Sequence, residues 1–166
     1  MQKLLSALLI AILVLFAHAG ARAKPAQTAA VFDAVFIDSS PLPATPEETA
    51  RMARFNAQLK QALDKSGRYR AIDLASIKKD VDAVRDITDC NGCEADLAKK
   101  AGAQVAVVAW VQKVSNLILN MNIRIEDAQT GATLKGGSVD IRGNDDQTWD
   151  RGLKYLLSEH VFAPPR

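Results

Sequence analysis

Apolar residues along the chain follow two patterns, one typical of β-strands and the other typical of α-helices. Runs rich in Val, Ile and Phe, or a strict alternation of apolar and polar residues, indicate strands. These runs lie at residues 29–37, 69–74, 103–114, 117–126 and 132–141. Helical spacing or helical composition occurs at residues 46–66, 75–87, 93–101 and from residue 145 onward. The predicted order is therefore β-α-β-α-α-β-β-β-α.

The helix that begins near residue 46 has the clearest boundaries. Thr45 is a good N-cap, Pro46 suits the first helical position, and Glu48 completes a capping box. Gly67 ends the helix, because glycine readily adopts the conformation common after a helical C-terminus. A single apolar stripe predicts that this helix packs through one face, and the stripe consists of Met52, Phe55, Leu59 and Leu63.

The third and fourth predicted strands differ in how their faces are covered. Residues 103–114 are apolar on both faces, which predicts a strand in the middle of a sheet with both sides covered. In residues 117–126 the apolar residues face one way, whereas Asn120, Asn122 and Arg124 face the other. This alternation predicts a strand with one face in water.

The connections between the strands predict the topology. A single helix joins the first two strands, and two helices join the second strand to the third, so these three strands are expected to be parallel in the order 2-1-3. Two short hairpins then add the fourth and fifth strands. We predict an α/β fold with one mixed five-stranded sheet in the order 2-1-3-4-5, strand 4 antiparallel and helices on both faces.

The N-terminal residues have the composition of a cleavable secretory signal peptide. Lys3 precedes an apolar run from residue 4 to residue 16, which is too short to span a bilayer. Small residues permit cleavage after Ala19 or Ala23, and we predict cleavage after Ala23. No cysteine stands directly after either cleavage site, so lipidation of a new N-terminal cysteine is not expected. Stable membrane insertion is not expected either, because the apolar run is too short.

The predicted cleavage defines the mature protein and its charge. We expect residues 1–23 to be removed and residues 24–166 to form a single periplasmic domain with an ordered core at about 29–162. The chain has 21 basic and 19 acidic side chains, and the loss of Lys3 and Arg22 leaves 19 of each. Proteins that bind nucleic acid carry a clustered basic excess, so we expect no nucleic-acid partner.

Cys90 and Cys93 are the only cysteines and form a C-x-x-C pair. Three interpretations fit this spacing: a structural disulfide, a thiol-exchange site, or part of a metal or cofactor site. Acidic residues nearby, Asp86, Asp89 and Glu94, disfavour the thiolate that exchange requires. We predict a structural disulfide and keep a periplasmic thiol-disulfide protein as the alternative function.

Other catalytic or metal sites lack the residues they need. His160 is the only histidine beyond residue 23, and we interpret it as a cation at the end of a helix rather than as a member of a catalytic triad. A zinc site would need ligands beyond the two cysteines, and no glycine-rich phosphate loop occurs. We therefore predict no metal, no cofactor and no enzymatic activity.

The fourth strand carries the candidate partner-binding residues, namely Asn116, Asn120, Asn122 and Arg124. Neutral amides with one guanidinium form a surface that can pair with a partner's backbone or with a polar ligand. The alternative interpretation is a solvated sheet face with no partner. Carriage of a small ligand in a crevice between the sheet and its helices is a further hypothesis, for which no individual residue can be named.

Several segments resemble a family of small exported bacterial proteins described only as a domain of unknown function. The resemblance covers nearly the whole mature chain and implies a periplasmic location but no activity. It rests on VFDAVFIDSS, LKQALDKSGRYRAIDL, CNGCEADLAKKAGAQVAVVAWVQKVSNLILNMNIRIEDAQTGATL and SVDIRGNDDQTWDRGLKYLL.

A looser similarity links the chain to the amino-terminal domain of TolB and to CsgG-like envelope lipoproteins. It rests on the turn Ser66–Tyr69, the strand entry Ala101–Ala103 and the hairpin Asp127–Gly131. The chain lacks TolB's propeller and CsgG's membrane-inserting segments, so pore formation and anchoring are not implied. The similarity implies a non-catalytic periplasmic binding or adaptor module that engages another envelope protein, through the polar face of strand 4 or an exposed sheet edge.

Overall fold

The structure is a computed structural model, and it describes residues 24–41 and 43–164. Its strands are β1 (Gln27–Val31), β2 (Val35–Asp38), β3 (Tyr69–Ala71), β4 (Val105–Ser115), β5 (Ile118–Asp127) and β6 (Thr133–Ile141). Its helices are α1 (Pro46–Lys65), α2 (Lys78–Asp82), α3 (Cys93–Lys100) and α4 (Asp146–Leu156), with a 3-10 turn (Ala75–Ile77) before α2 and a π-helical turn (Leu157–Val161) after α4. The predicted signal peptide lies outside the described residues.

The strands form one mixed sheet in the order β3-β1-β4-β5-β6, and β2 pairs with β4 in line with β1. β1 is parallel to both β3 and β4, whereas β5 is antiparallel to β4 and to β6. The predicted order 2-1-3-4-5 is therefore confirmed, with β1 and β2 together in the place of the first predicted strand.

A bulge divides the first predicted strand into β1 and β2. Val31 pairs with Val107 and Val35 pairs with Trp110, so four steps along this strand match three steps along β4. The extra residue turns the Ala34 N–H away from β4, and it donates instead to a side-chain oxygen of α1 at 2.9 Å. Such an insertion leaves no mark in a continuous apolar run, which is why the sequence predicted one strand.

Two predicted elements are shorter than expected. β3 ends at Ala71 rather than Leu74, because Asp73 Oδ1 accepts a hydrogen bond from the Ala75 N–H at 2.9 Å and turns the chain. Residues 75–87 form the 3-10 turn and the five-residue α2 rather than one long helix. Their polar sequence gives them little to pack, since only Ile77 is buried within these two short elements.

Helices cover both faces of the sheet, as predicted. On one face α1 and α4 form a core with β4 and β5, which includes Phe55, Leu59, Val107, Met121 and Trp149. On the other face the 3-10 turn and α3 form a second core with β1 and β4, which includes Ala30, Ile77, Leu97, Ala98 and Val108. Within residues 24–41 and 43–164, no helix is both long and apolar enough to cross a membrane.

Gly137 of β6 allows close packing against a neighbouring element. The register shift of the β5–β6 hairpin lies nearer the turn, where Ile125 and Glu126 of β5 pair with Lys135 and Thr133. A Cβ added at Gly137 would lie 2.1 Å from Cγ of His160, which sits on the π-helical turn. Gly137 is therefore required because the His160 ring lies directly against the backbone of β6.

Candidate partner-binding face

Three of the four predicted partner-binding residues share one face of β5. Asn120, Asn122 and Arg124 alternate with the apolar residues that contact α1 and α4, so they lie on the opposite side of the sheet. Asn116 lies in the exposed turn between β4 and β5 and does not join them. The polar face is defined by Asn120, Asn122 and Arg124 of β5 with Ser138 and Asp140 of β6.

Hydrogen bonds fix the amide groups of the polar face. Asn120 Nδ2 donates to Asp140 Oδ1 at 2.8 Å and to Ser138 Oγ at 3.3 Å. Asn122 Nδ2 donates to Asn120 Oδ1, which sets the orientation of both amides. Among the described residues nothing donates to Asn122 Oδ1 or to the second carboxylate oxygen of Asp140. The polar face therefore carries pre-oriented acceptors, of which Asp140 is exposed and Asn122 is only 9% exposed.

Arg124 is held between two buried glutamates. Its Nη2 lies 2.6 Å from Glu94 Oε1 and its Nε lies 2.5 Å from Glu126 Oε1, and the two glutamates are only 3% and 6% exposed. Burial raises the pKa of Glu126, and the nearby Glu94 carboxylate adds to this rise against the opposing effect of Arg124. The prediction of a face in water is thus wrong at this end of β5, because the start of α3 covers it.

The predicted disulfide is present and lies beside this charged group. Cys90 and Cys93 are bonded at an S–S distance of 2.03 Å, and Glu94 Oε2 lies 3.0 Å from Cys90 Sγ. If the bond were reduced, the adjacent carboxylate would disfavour a thiolate at Cys90. Cys90, Cys93 and Glu94 have potential metal ligands within 4.8 Å of one another, but both sulfurs are committed to the disulfide.

The sheet becomes more accessible away from α3. Along this face of β4, Val108 is fully buried, Trp110 is half-buried and Val114 is 50% exposed. Trp110 pairs across the strands with Asn122, so an aromatic ring adjoins the amide groups. An aromatic side chain next to oriented polar groups is a composition typical of protein–protein contact surfaces.

The sequence analysis missed a buried ionic network on the other side of the sheet. Lys113 Nζ lies 2.7 Å from Glu48 Oε1 and 3.4 Å from Asp38 Oδ2, and both Lys113 and Glu48 are 1% exposed. Glu48 also accepts hydrogen bonds from the Thr45 N–H at 2.8 Å and from Asn144 Nδ2 at 2.6 Å. Every charged group here has partners, so this network joins the start of α1 to β4 and to the loop before α4.

The titration of this network follows from its contacts. The hydrogen bond to Glu48 raises the pKa of Lys113 in spite of its burial. Burial by itself would raise the pKa of Glu48, but Lys113, the Thr45 N–H and Asn144 together hold it below its usual value. A signal was available in the sequence, since every residue that precedes Lys113 in β4 at two-residue spacing is apolar, namely Val105, Val107, Ala109 and Val111.

The fold and the site can be compared with known proteins. Residues 27–161 match the family DUF3280, described as "Protein of unknown function (DUF2380)", and the chain belongs to this family. The expected membership in a domain family of unknown function is therefore confirmed. No curated protein matches the sequence.

Solved structures share the fold at low sequence identity. The LpoB C-terminal domain from Escherichia coli is 16% identical at a TM-score of 0.53, with 74% of this chain and 88% of that chain covered. Lipoprotein GNA1162 from Neisseria meningitidis is 14% identical at a TM-score of 0.54, with 80% and 95% covered. TolB from Acinetobacter baumannii is 14% identical at a TM-score of 0.45, with 82% of this chain and 29% of that chain covered. The likenesses to LpoB and to GNA1162 show a shared fold.

Proposed function

We propose that this protein is a non-catalytic binding or adaptor module of the periplasm, and that its polar face engages another protein of the cell envelope. The observation that carries the proposal is the set of pre-oriented amide and carboxylate acceptors beside the half-buried Trp110. A surface whose polar groups are already fixed loses less conformational entropy on binding than a flexible one.

The envelope location is supported by the signal-peptide composition of residues 1–23 and by the disulfide. Disulfides persist in oxidising compartments such as the bacterial periplasm. A further support is that the fold is shared with lipoprotein GNA1162 from Neisseria meningitidis. The absence of lipidation and of stable membrane insertion in this chain is part of the proposal.

The alternative function, thiol-disulfide exchange through Cys90 and Cys93, is less well supported by the geometry. The carboxylate of Glu94 lies 3.0 Å from Cys90 Sγ and opposes the thiolate that exchange requires. Titration against glutathione separates the two functions. A reduction potential far below that of the glutathione pool supports a structural disulfide, and a potential near those of known oxidants would support exchange.

Affinity capture from periplasmic extract, quantified by mass spectrometry, tests the assignment of the polar face. The first variant replaces Asn120 and Asn122 by Ala and keeps Arg124, because removing Arg124 would leave Glu94 and Glu126 facing each other without a cation. The second variant, Ser138→Arg, places a bulky side chain at an exposed position of the polar face.

A matched control replaces the same kind of side chain by Ala on other surfaces of the protein. Gln61 and Gln147 are exposed residues of α1 and α4, and both are replaced by Ala. We expect a captured protein that the wild type and this control recover equally and that both polar-face variants lose. Equal recovery by the wild type and the two polar-face variants would contradict the site assignment.

A further inference from the structure

A groove lies at the carboxyl ends of β1 and β3, and its lining combines apolar residues with three acidic and three basic ones, Lys60 of α1 included. It encloses about 700 Å³, within the range of about 300–1,000 Å³ typical of ligand pockets. Its walls include Val35, Ile72, Leu74, Val81 and Val84. Ligands of open α/β sheets usually bind outside the carboxyl ends of the strands, which is where this groove lies.

The sheet has a gap beside this groove. β3 ends at Ala71, so within the described residues no strand lies next to β2 on the side away from β4. The Ser39 N–H donates a hydrogen bond to the Lys113 carbonyl of β4. Because backbone N–H and C=O groups alternate in direction along a strand, those of Val35 and Ile37 also point towards β4. The N–H and C=O of Phe36 therefore point into the gap, where no described residue bonds them.

The rim of the groove carries one cation that no acidic residue of the described chain neutralises. Lys60 lies 3.0 Å from Asp33, and Lys78 lies 2.7 Å from Asp82. Arg85 is exposed and forms no ion pair within residues 24–41 and 43–164. An anionic group on a bound partner would complement this charge.

We infer that this groove binds an extended segment of a partner protein. The segment adds a strand beside β2, in the position that β3 would occupy if it continued beyond Ala71. The backbone of the segment forms hydrogen bonds with the free N–H and C=O of Phe36, and alternate side chains of the segment enter the groove. The segment therefore has apolar residues at every second position, polar residues between them, and an acidic residue that pairs with Arg85. This site is separate from the polar face and does not depend on the function proposed for it.

An extended peptide fits these observations better than a fatty acid. Both could fill the apolar walls and pair with Arg85, but only a peptide uses the backbone groups of β2. Charged residues and proline are among the features that block pairing at exposed strand edges, and residues 35–37 of β2 include neither.

Selection from a phage-displayed library of random 12-residue peptides tests the inference on the full protein purified from the periplasm. Val84→Arg fills the groove, and the matched control Val114→Arg makes the same change at a 50% exposed position outside it. We expect selected peptides with alternating apolar residues and an acidic residue. Val84→Arg should weaken their affinity at least about tenfold, whereas Val114→Arg and Ser138→Arg should leave it unchanged.

Two further measurements use the wild-type protein, so the test does not depend on how the Val84 variant folds. Peptide binding should slow hydrogen exchange of the Phe36 amide, and N-methylation of alternate peptide residues should abolish binding. The inference is overturned if no peptide is selected, if exchange at Phe36 is unchanged on binding, or if sodium decanoate displaces the peptides and N-methylation has no effect. Loss of binding in Ser138→Arg alone would place the peptides on the polar face and also overturn it.

Discussion

Replacing Lys113 by Met tests the buried network of β4 and α1. The substitution keeps the apolar stem but removes the charge that lies 2.7 Å from Glu48. Removing one partner of a buried ion pair costs about 3–5 kcal/mol, because the other charge remains buried without compensation. Glu48 keeps its bonds to the Thr45 N–H and to Asn144, so we expect the lower end, a loss of about 3 kcal/mol in unfolding free energy at neutral pH.

The same substitution should change the pH dependence of stability. In the wild type the pKa of Glu48 is lowered, so its contribution is present above the unfolded-state pKa and is lost as the pH falls through the folded-state pKa. Without Lys113, burial raises the pKa of Glu48 above the unfolded-state value, and stability is then lost as the pH rises through it. The difference between wild type and variant should therefore be largest near neutral pH and smaller near pH 5.

Urea unfolding followed by tryptophan fluorescence at both pH values measures these differences. The double variant Glu48→Gln with Lys113→Met removes both charges and should recover about half of the loss or more. A loss below about 1 kcal/mol for Lys113→Met would refute the argument. An equal loss at both pH values would show that packing rather than charge explains the effect.

Three further predictions concern other parts of the fold. Gly137→Ala should destabilise the protein by about 1–3 kcal/mol in thermal unfolding, because the added methyl group would meet the His160 ring. Adding His160→Ala to this variant should restore most of the lost stability. An unchanged loss in the double variant would contradict the packing argument. Replacing Cys90 and Cys93 by Ala should lower the unfolding free energy by about 2 kcal/mol, as expected for a four-residue loop, without altering the circular dichroism spectrum of the native state. Burial raises the pKa of Glu126, so its ionisation destabilises the folded protein as the pH rises. The free energy of unfolding of Glu126→Gln, relative to that of the wild type, should therefore increase between pH 5 and pH 8. A constant difference over that range would contradict the raised pKa.

Local signals in the sequence were sufficient for most of the elements and for their order. The capping box at Thr45 and Glu48 is present because it depends only on residues three positions apart. The apolar faces of residues 103–114 indicated the central strand β4, and short connections determined its neighbours. The pairing of Cys90 with Cys93 was expected because no other cysteine is available.

Features that depend on distant contacts could not be predicted in this way. The alternation of β5 showed that Arg124 and Asn122 share a face, but not that the start of α3 covers one end of it. The burial of Lys113 depends on Glu48, which is far away in the sequence and becomes a neighbour only when α1 packs on the sheet. Likewise, the reason for Gly137 is the ring of His160 on a different element.

The central claim, that the polar face contacts another envelope protein, can be tested directly by photo-crosslinking in the native bacterium. p-Benzoylphenylalanine replaces Ser138 on the polar face in one strain and the exposed Gln61 of α1 in another. The proposed function predicts one defined crosslinked protein from the Ser138 position and none from the Gln61 position. No adduct at Ser138, or the same adducts at both positions, would contradict it.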